Sequence, residues 1–284
     1  MAHGTPSSME EMPEYLLLVR GGRPPSDELI AEMRHNYEAI GGRSPLTDLT
    51  LEQGARLGTR LGPDIPVAVG MRNWRPFIKD ALAELAAAAV DRAIAIPLAP
   101  QFSTLSVQKY IDAARAALPD GMRVDAVRSF HAHPRLLDAF AERLRAASPK
   151  PDELIIFTAH SLPKKAIEGG DSYADEVAAT ARGVAERAGI GRYLVAYQSA
   201  GRTPEPWIGP TIEETIDEQT GLGVRKFLVA PIGFVCDHTE ILYDIDVQAA
   251  QTAREFSTSL RRTESLNSSP LFIDVLEDLV RQHL

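Results

Sequence analysis

What most constrains this chain is an alternation of short apolar, β-branched runs with amphipathic stretches of helical period. PVAVGMR (66–72), RAIAIPLAP (92–100) and RVDAVRSF (123–130) read as strands in the first half. ELIIFTAH (153–160), RYLVAYQS (192–199) and KFLVAPIGF (226–234) read as strands in the second. Helical patterns lie between them at 49–61, 75–89, 107–118, 172–189 and 209–221. Strands alternating with helices of this length build βαβ units and parallel sheets. The polar, proline-bearing ASPKPDE (147–153) marks a boundary. The expected fold class is α/β, with a half over 1–148, a half over 149–284 and a cleft between them.

Composition removes several functions. The net charge of −9 argues against a general nucleic-acid binder, which carries a basic patch or balance. No run of eighteen apolar residues is present, so no membrane span is expected. The first residues lack the basic and apolar regions of a secretory signal. The single cysteine, Cys236, excludes an internal disulfide and any all-cysteine metal or Fe–S site. A cytoplasmic location fits these features. Motifs for a P-loop, a dinucleotide fold, a nucleophile elbow and a closed zinc site are all missing from the sequence.

One gap stands at the beginning. A Gly-Thr-Pro turn (4–6) in such a fold follows a strand, yet only three residues precede it. The expectation is that the first strand of the N-terminal half is missing and that Met1 stands near its end.

Ligands of open α/β sheets bind beyond the carboxyl ends of the strands. His160 ends the run LIIF-TAH, and Glu240 follows the strand that ends at Phe234. Both are expected to project into one crevice. An imidazole facing a carboxylate suits a first-row divalent metal, and equally a general base with a charged partner. Glu240, Asp244 and Gln248 lie four apart and share a helix face, which suits either a cation path or an acidic first turn complementing the helix dipole. His238, alone in a turn, reads as structural. Trp207, in a loop with three prolines, forms either a wall of a flat apolar pocket or an anchor for its loop. The hydroxyl-rich turn APQFSTLSVQKY (99–110) either binds a carboxylate or caps the helix after it.

TAHSLP, GDSYADEV, YQSAGRTPEPWIGP, PIGFVCDHTEILYDID and SLNSSPLFIDVLEDLV, with YEAIGGRSPL and PLAPQFSTLSVQKY in the first half, stand in one order along the chain. In these the chain resembles the ferrochelatases, which insert Fe²⁺ into a porphyrin at the end of haem synthesis. The short bacterial, coproporphyrin-type enzymes are the most similar. The resemblance implies two Rossmann-like, chelatase-type halves around a porphyrin cleft. It implies that His160 and Glu240 form the metal site and that both are catalytic, with Asp244 continuing the acidic face. It puts porphyrin contacts at His3, Arg20, Asn36, Tyr37, Ser44, Tyr110 and Trp207. Four positions depart from the family pattern: His3 stands where tyrosine is usual, Asn36 where arginine is common, Asn73 where histidine is frequent, and Gln248 where a third acid is usual. The implied partners are porphyrin and Fe²⁺ as substrates, with no Fe–S cluster, no cofactor beyond the iron, no nucleic acid and a monomeric chain. The alternatives are a chelatase for another divalent metal and a non-catalytic tetrapyrrole-binding or haem-binding protein. The first half, which has no long apolar lip insertion, favours coproporphyrin III over protoporphyrin IX.

Overall fold

The computed structural model describes residues 1–201 and 203–284. The first half runs α1 (Met12–Val19), α2 (Asp27–Ala39), α3 (Leu46–Leu61), α4 (Ile78–Ala87), β1 (Arg92–Ala95), α5 (Val107–Ala116), β2 (Arg123–Ala126) and α6 (Pro134–Ala146). The second runs β3 (Glu153–His160), α7 (Lys164–Glu168), α8 (Tyr173–Ala188), β4 (Tyr193–Gln198), α9 (Ile212–Gly221), β5 (Lys226–Pro231) and α10 (Thr239–Leu242). A π-helical turn (Asp244–Ala249), α11 (Ala250–Glu255), β6 (Ser259–Arg262) and α12 (Pro270–Arg281) complete it.

The second half holds a four-stranded parallel sheet in the order β4-β3-β5-β6. Its central strand β3 is buried from Leu154 to Ala159. A strand covered on both faces needs apolar residues at successive positions, and β3 therefore reads as a continuous apolar run. His160 pairs with Gln198 and Thr158 with Pro231, so three strands end together at one edge. The edge strand β6 escaped the sequence reading because it is short and charged. Arg261 pairs with Glu153, and Arg262 with Asp237 and Asp246. Such charges also discourage pairing with another chain's edge.

The first half departs from expectation. Its sheet has two parallel strands, β1 and β2, each shorter than the apolar run that announced it. The run 66–72 forms no ladder; Met71 makes isolated bridges to Ala2 and Phe77. Between that run and β1, among the described residues, the bonded backbone is that of Met1 to His3. Ala2 donates to the Gly70 carbonyl at 3.1 Å, and Arg72 and Asn73 donate to the carbonyls of Ala2 and His3 at 2.9 Å. On the other side the Met1 amine donates to the Ile96 carbonyl at 2.7 Å, and Leu98 donates to the Met1 carbonyl at 2.8 Å. Met1–His3 thus bond to both flanking segments, with Ala2 and Met71 forming an isolated parallel bridge.

The two halves share a core. Leu46, Leu136 and Phe140 pack in one cluster with Phe157, Val177 and Leu276. Helix α12 returns to cover α3 and α6. The turn after β1 is tied to the second half by two acids, buried Asp171 and half-buried Glu176. Phe102 N–H donates to Glu176 at 2.7 Å, and Thr104 donates to Asp171 through its N–H and hydroxyl, both at 2.7 Å. The hydroxyls of this turn therefore serve packing between the halves. Among the described residues, no helix is long and apolar enough to cross a membrane.

Candidate active site

β3 delivers His160 to the carboxyl edge of the sheet, and its Nδ1–H donates to the Ser161 carbonyl. In the neutral ring this leaves the lone pair on Nε2. That nitrogen lies 3.7 Å from Glu240 Oε2. The His160 and Glu240 side chains remain 32% and 39% exposed, enough to meet a substrate.

Glu240 arrives on α10, just after β5 and a tight turn. Gly233 opens that turn, and a Cβ there would lie 2.6 Å from the Ala159 Cβ. Only glycine lets the turn approach β3 this closely. The turn also carries His238, whose Nδ1–H donates to the Cys236 carbonyl at 2.9 Å and whose Nε2 lies 3.7 Å from Glu240 Oε2. Asp237 is held by Ser265, Asn267 and Arg262, which brace the turn from behind. His238, read as structural, is thus a second imidazole on the same carboxylate. No three acidic, histidine or cysteine side chains among the described residues are placed to enclose a metal ion.

These contacts set the charges. Burial pushes the Glu240 carboxyl up, but the His160 and His238 imidazoles outweigh it and hold the group at about 2. Burial pulls His238 down, and its hydrogen bond and charge contact with Glu240 lift it above the usual imidazole value. Asp244 shows the reverse balance. Burial lifts it, the Ser199 hydroxyl opposes, Glu240 adds to the lift, and the carboxyl stands at about 7. An ionised acid therefore neighbours one that exchanges its proton near neutrality.

Asp244 opens the π-helical turn, in which Gln248 N–H reaches back five residues to the Tyr243 carbonyl at 2.9 Å. Such turns recur at functional sites. Ser199, at the end of β4, has φ +60° and donates its hydroxyl to Asp244. Gln198 donates to the Glu240 carbonyl. Neither residue was singled out from sequence, although the end of β4 beside His160 was the available signal. Gln248 lies further out, exposed, donating to Glu213 at 3.0 Å.

The Ferrochelatase family model matches residues 1–284. The chain belongs to the ferrochelatase family. It is 38% identical to the coproporphyrin III ferrochelatase of Geobacillus sp. strain WCH70, with 100% of this chain and 96% of that protein covered. It is 41% identical to the ferrochelatase of Thermus thermophilus, covering 99% and 96%. Among solved structures, SirB from Bacillus subtilis with Fe³⁺ is similar at a TM-score of 0.59 and 12% identity, over 83% of this chain and 89% of SirB. CbiX, described as the terminal enzyme of sirohaem biosynthesis in denitrifying bacteria, gives 0.53 and 15%, over 92% and 95%. These distant likenesses bear on the fold, which is the Rossmann-like chelatase architecture. The chain is thus an enzyme of the ferrochelatase family, which inserts metal into porphyrin.

Several residues expected from the ferrochelatase resemblance lie around this pair. His3 is within electrostatic reach of Glu240, His160 and His238; burial pulls it down to about 4, so its imidazole is neutral at pH 7. Asn73 Nδ2 lies 3.2 and 3.1 Å from the two ring nitrogens of His3. Gly4, at φ +85°, makes the turn that follows, close against Trp74. Tyr37 is buried beside Thr239, and burial lifts its hydroxyl to about 12. Tyr110 is buried under the Arg72 guanidinium, 5.9 Å from the ring centre. The Trp207 ring lies 6.5 Å from that of His160, and its Nε1–H donates to Thr203 at 2.9 Å. Backbone bonds from Lys164 to Pro206 and from Ile208 to Leu162 clip this loop beside β3.

Of the three remaining expected contacts, two hold hydrogen bonds to neighbouring backbone and the third lies beside Tyr37. Ser44 is buried and accepts from Leu46 N–H at the start of α3. Arg20 closes α1, its side chain donating to the Arg23 carbonyl while its own carbonyl accepts from the Arg23 side chain. Asn36 is half-buried on α2, next to Tyr37.

Proposed function

We propose that this enzyme inserts Fe²⁺ into coproporphyrin III and releases the two inner pyrrole protons. The observation that carries the reading is the pair His160 Nε2 and Glu240 Oε2, 3.7 Å apart and accessible. The pair offers a lone-pair nitrogen and an ionised oxygen to a divalent first-row ion. Two ligands hold iron loosely enough to surrender it, whereas a closed centre would retain it.

The macrocycle lies against Trp207, Tyr37, Tyr110 and His3 in this reading. Clamping it tilts one pyrrole out of plane, part-way to the transition state, and exposes a nitrogen lone pair. Iron passes from His160 and Glu240 to that nitrogen. The protons leave through His160, with Glu240 and Asp244 as relay. Asp244 is suited to this step because its value near 7 matches the working pH. His3, neutral and held by Asn73, stands ready to ligate the iron of the product. The coproporphyrin preference is supported by the resemblance to relatives that carry that name. We read the working unit as one chain in the cytoplasm, since all the residues named here lie in it.

The test is anaerobic: the protein with Fe²⁺ and either coproporphyrin III or protoporphyrin IX, followed by loss of porphyrin fluorescence. Conversion is expected, faster with coproporphyrin III, and about 100-fold or more slower in His160→Ala and Glu240→Ala. A shifted Soret band with no conversion in the unaltered protein would establish the non-catalytic binder instead.

A further inference from the structure

The helix that carries Glu240 is only four residues long, Thr239–Leu242. A helix this short does not hold itself, because nucleation fixes several dihedrals for each bond gained. The place of Glu240 is therefore set by what α10 and the turn after it touch. From the second half, Gln198 donates to the Glu240 carbonyl and Ser199 to the Asp244 carboxylate. From the first half, α2 makes two contacts. The rings of His35 and Tyr243 meet edge to face at 6.2 Å, and the Tyr37 hydroxyl faces the Thr239 hydroxyl. The end of β4 thus holds Glu240 and Asp244, while α2 holds the residue before each.

Tyr37 and Thr239 are both buried. The Thr239 hydroxyl meets no partner at full hydrogen-bond geometry among the described residues. A hydroxyl buried unpaired is costly, which favours its closing on the hydroxyl it faces. Tyr37 is the fixed member of the pair, since its ring is embedded among Met12, Tyr15, Leu16 and Trp74. It also lies within electrostatic reach of Glu240. We propose that Thr239 is a positioning residue for metal insertion: its hydroxyl, hydrogen-bonded to that of Tyr37, pins the first residue of α10 to the first half and so fixes the Glu240 carboxylate opposite His160. This rests on the reading of His160 and Glu240 as the pair that holds the iron. The effect passes through the backbone from Thr239 to Glu240. The half whose Tyr37 walls the macrocycle in that reading thereby also steadies the carboxylate that delivers the metal.

Calorimetric titration of the protein alone with Co²⁺ tests this without reference to turnover. The relevant binding is the part that His160→Ala abolishes. Thr239→Val keeps the branched shape and removes the hydroxyl. It is expected to weaken that binding by about tenfold, as loss of a group that orients a metal ligand does. Thr239→Ser is expected to restore most of the loss. Tyr37→Phe is expected to weaken binding by the same factor, and the double variant by no more than either change alone. Coproporphyrin III affinity, read from the Soret band, is expected to stay the same in Thr239→Val. Unchanged Co²⁺ affinity in Thr239→Val would overturn the inference. So would losses that multiply in the double variant, since the two hydroxyls then act apart, or an equal loss in Thr239→Ser, which assigns the effect to packing. Should Thr239→Val fail to fold, Tyr37→Phe carries the same prediction and the same refutation. Co²⁺ binding that His160→Ala leaves untouched would instead bring down the iron-holding pair, and this inference with it.

Discussion

Asp244 is half-buried next to an ionised Glu240 and takes a hydrogen bond from Ser199, with its carboxyl lifted to about 7. A folded-state value raised above the ordinary 3.8 means that the folded protein binds this proton more tightly than the unfolded chain does. That contribution to stability is whole below pH 3.8 and is lost as pH rises to about 7. Asp244→Asn removes the ionisation. It is expected to raise the unfolding free energy by on the order of 2 kcal/mol at pH 8 and to change it little at pH 4, in denaturant titrations at both values. The same variant is expected to lose at least tenfold in metal insertion, because the relay loses its acceptor. A protein made more stable and less active by one atom's exchange is the mark of a group kept for chemistry. His160 was legible because a strand end fixes where its last side chain projects, and Glu240 because its segment follows the neighbouring strand of the same sheet. His238 was not, because its meeting with Glu240 depends on the turn geometry set by Gly233 and by Asp237's partners. Ser199 was hidden too, since no propensity announces a serine at φ +60°.

Among the elements, the turn between β5 and α10 governs the site. Gly233 lies against Ala159, so Gly233→Ala is expected to cost about 1–3 kcal/mol through overpacking and to slow turnover by displacing Glu240 from His160. Ala159→Gly leaves the Ala159 Cα only 2.7 Å from the new methyl group, so the double variant is expected to recover little of either loss; a double-mutant cycle measures the coupling. The long apolar strands β3, β4 and β5 were readable because full burial leaves only one kind of residue acceptable. The first-half sheet was over-read for a related reason. Residues 66–72 have the composition of a central strand, but among the described residues only Gly70 to Arg72 find bonded neighbours, in Ala2 and the 76–78 segment. The π-helical turn was invisible because its sequence, DIDVQA, has no distinguishing pattern. With it, the face expected to run from Glu240 to Gln248 ends at Asp244, and Gln248 bonds to Glu213 at the surface.

Across the whole molecule the two halves behave as one body, since they share a core and are stapled through Glu176 and Asp171. Calorimetry is expected to show one cooperative transition, whose enthalpy agrees with the van't Hoff value. Burial raises the Glu176 carboxyl, but the bonds from His131, Ser129, Phe102 N–H and Ser172 prevail and hold it at about 2. Its contribution is therefore present above pH 4.5 and lost as pH falls from 4.5 through 2. Glu176→Gln is expected to cost on the order of 2 kcal/mol at pH 7, discounted for its partial exposure, and to flatten the acid limb of the stability curve over that window.

Cys236, the chain's one thiol, lies in the turn that carries His238 and leads to Glu240, buried and pushed up to about 12. While that turn is closed, the sulfur is neither accessible nor ionised, so a thiol reagent must wait for it to open. The labelling rate at neutral pH becomes a clock for those openings. It reads, from a single native atom, how often the catalytic turn leaves its place against β3, and a bound porphyrin that steadies the turn will slow the clock.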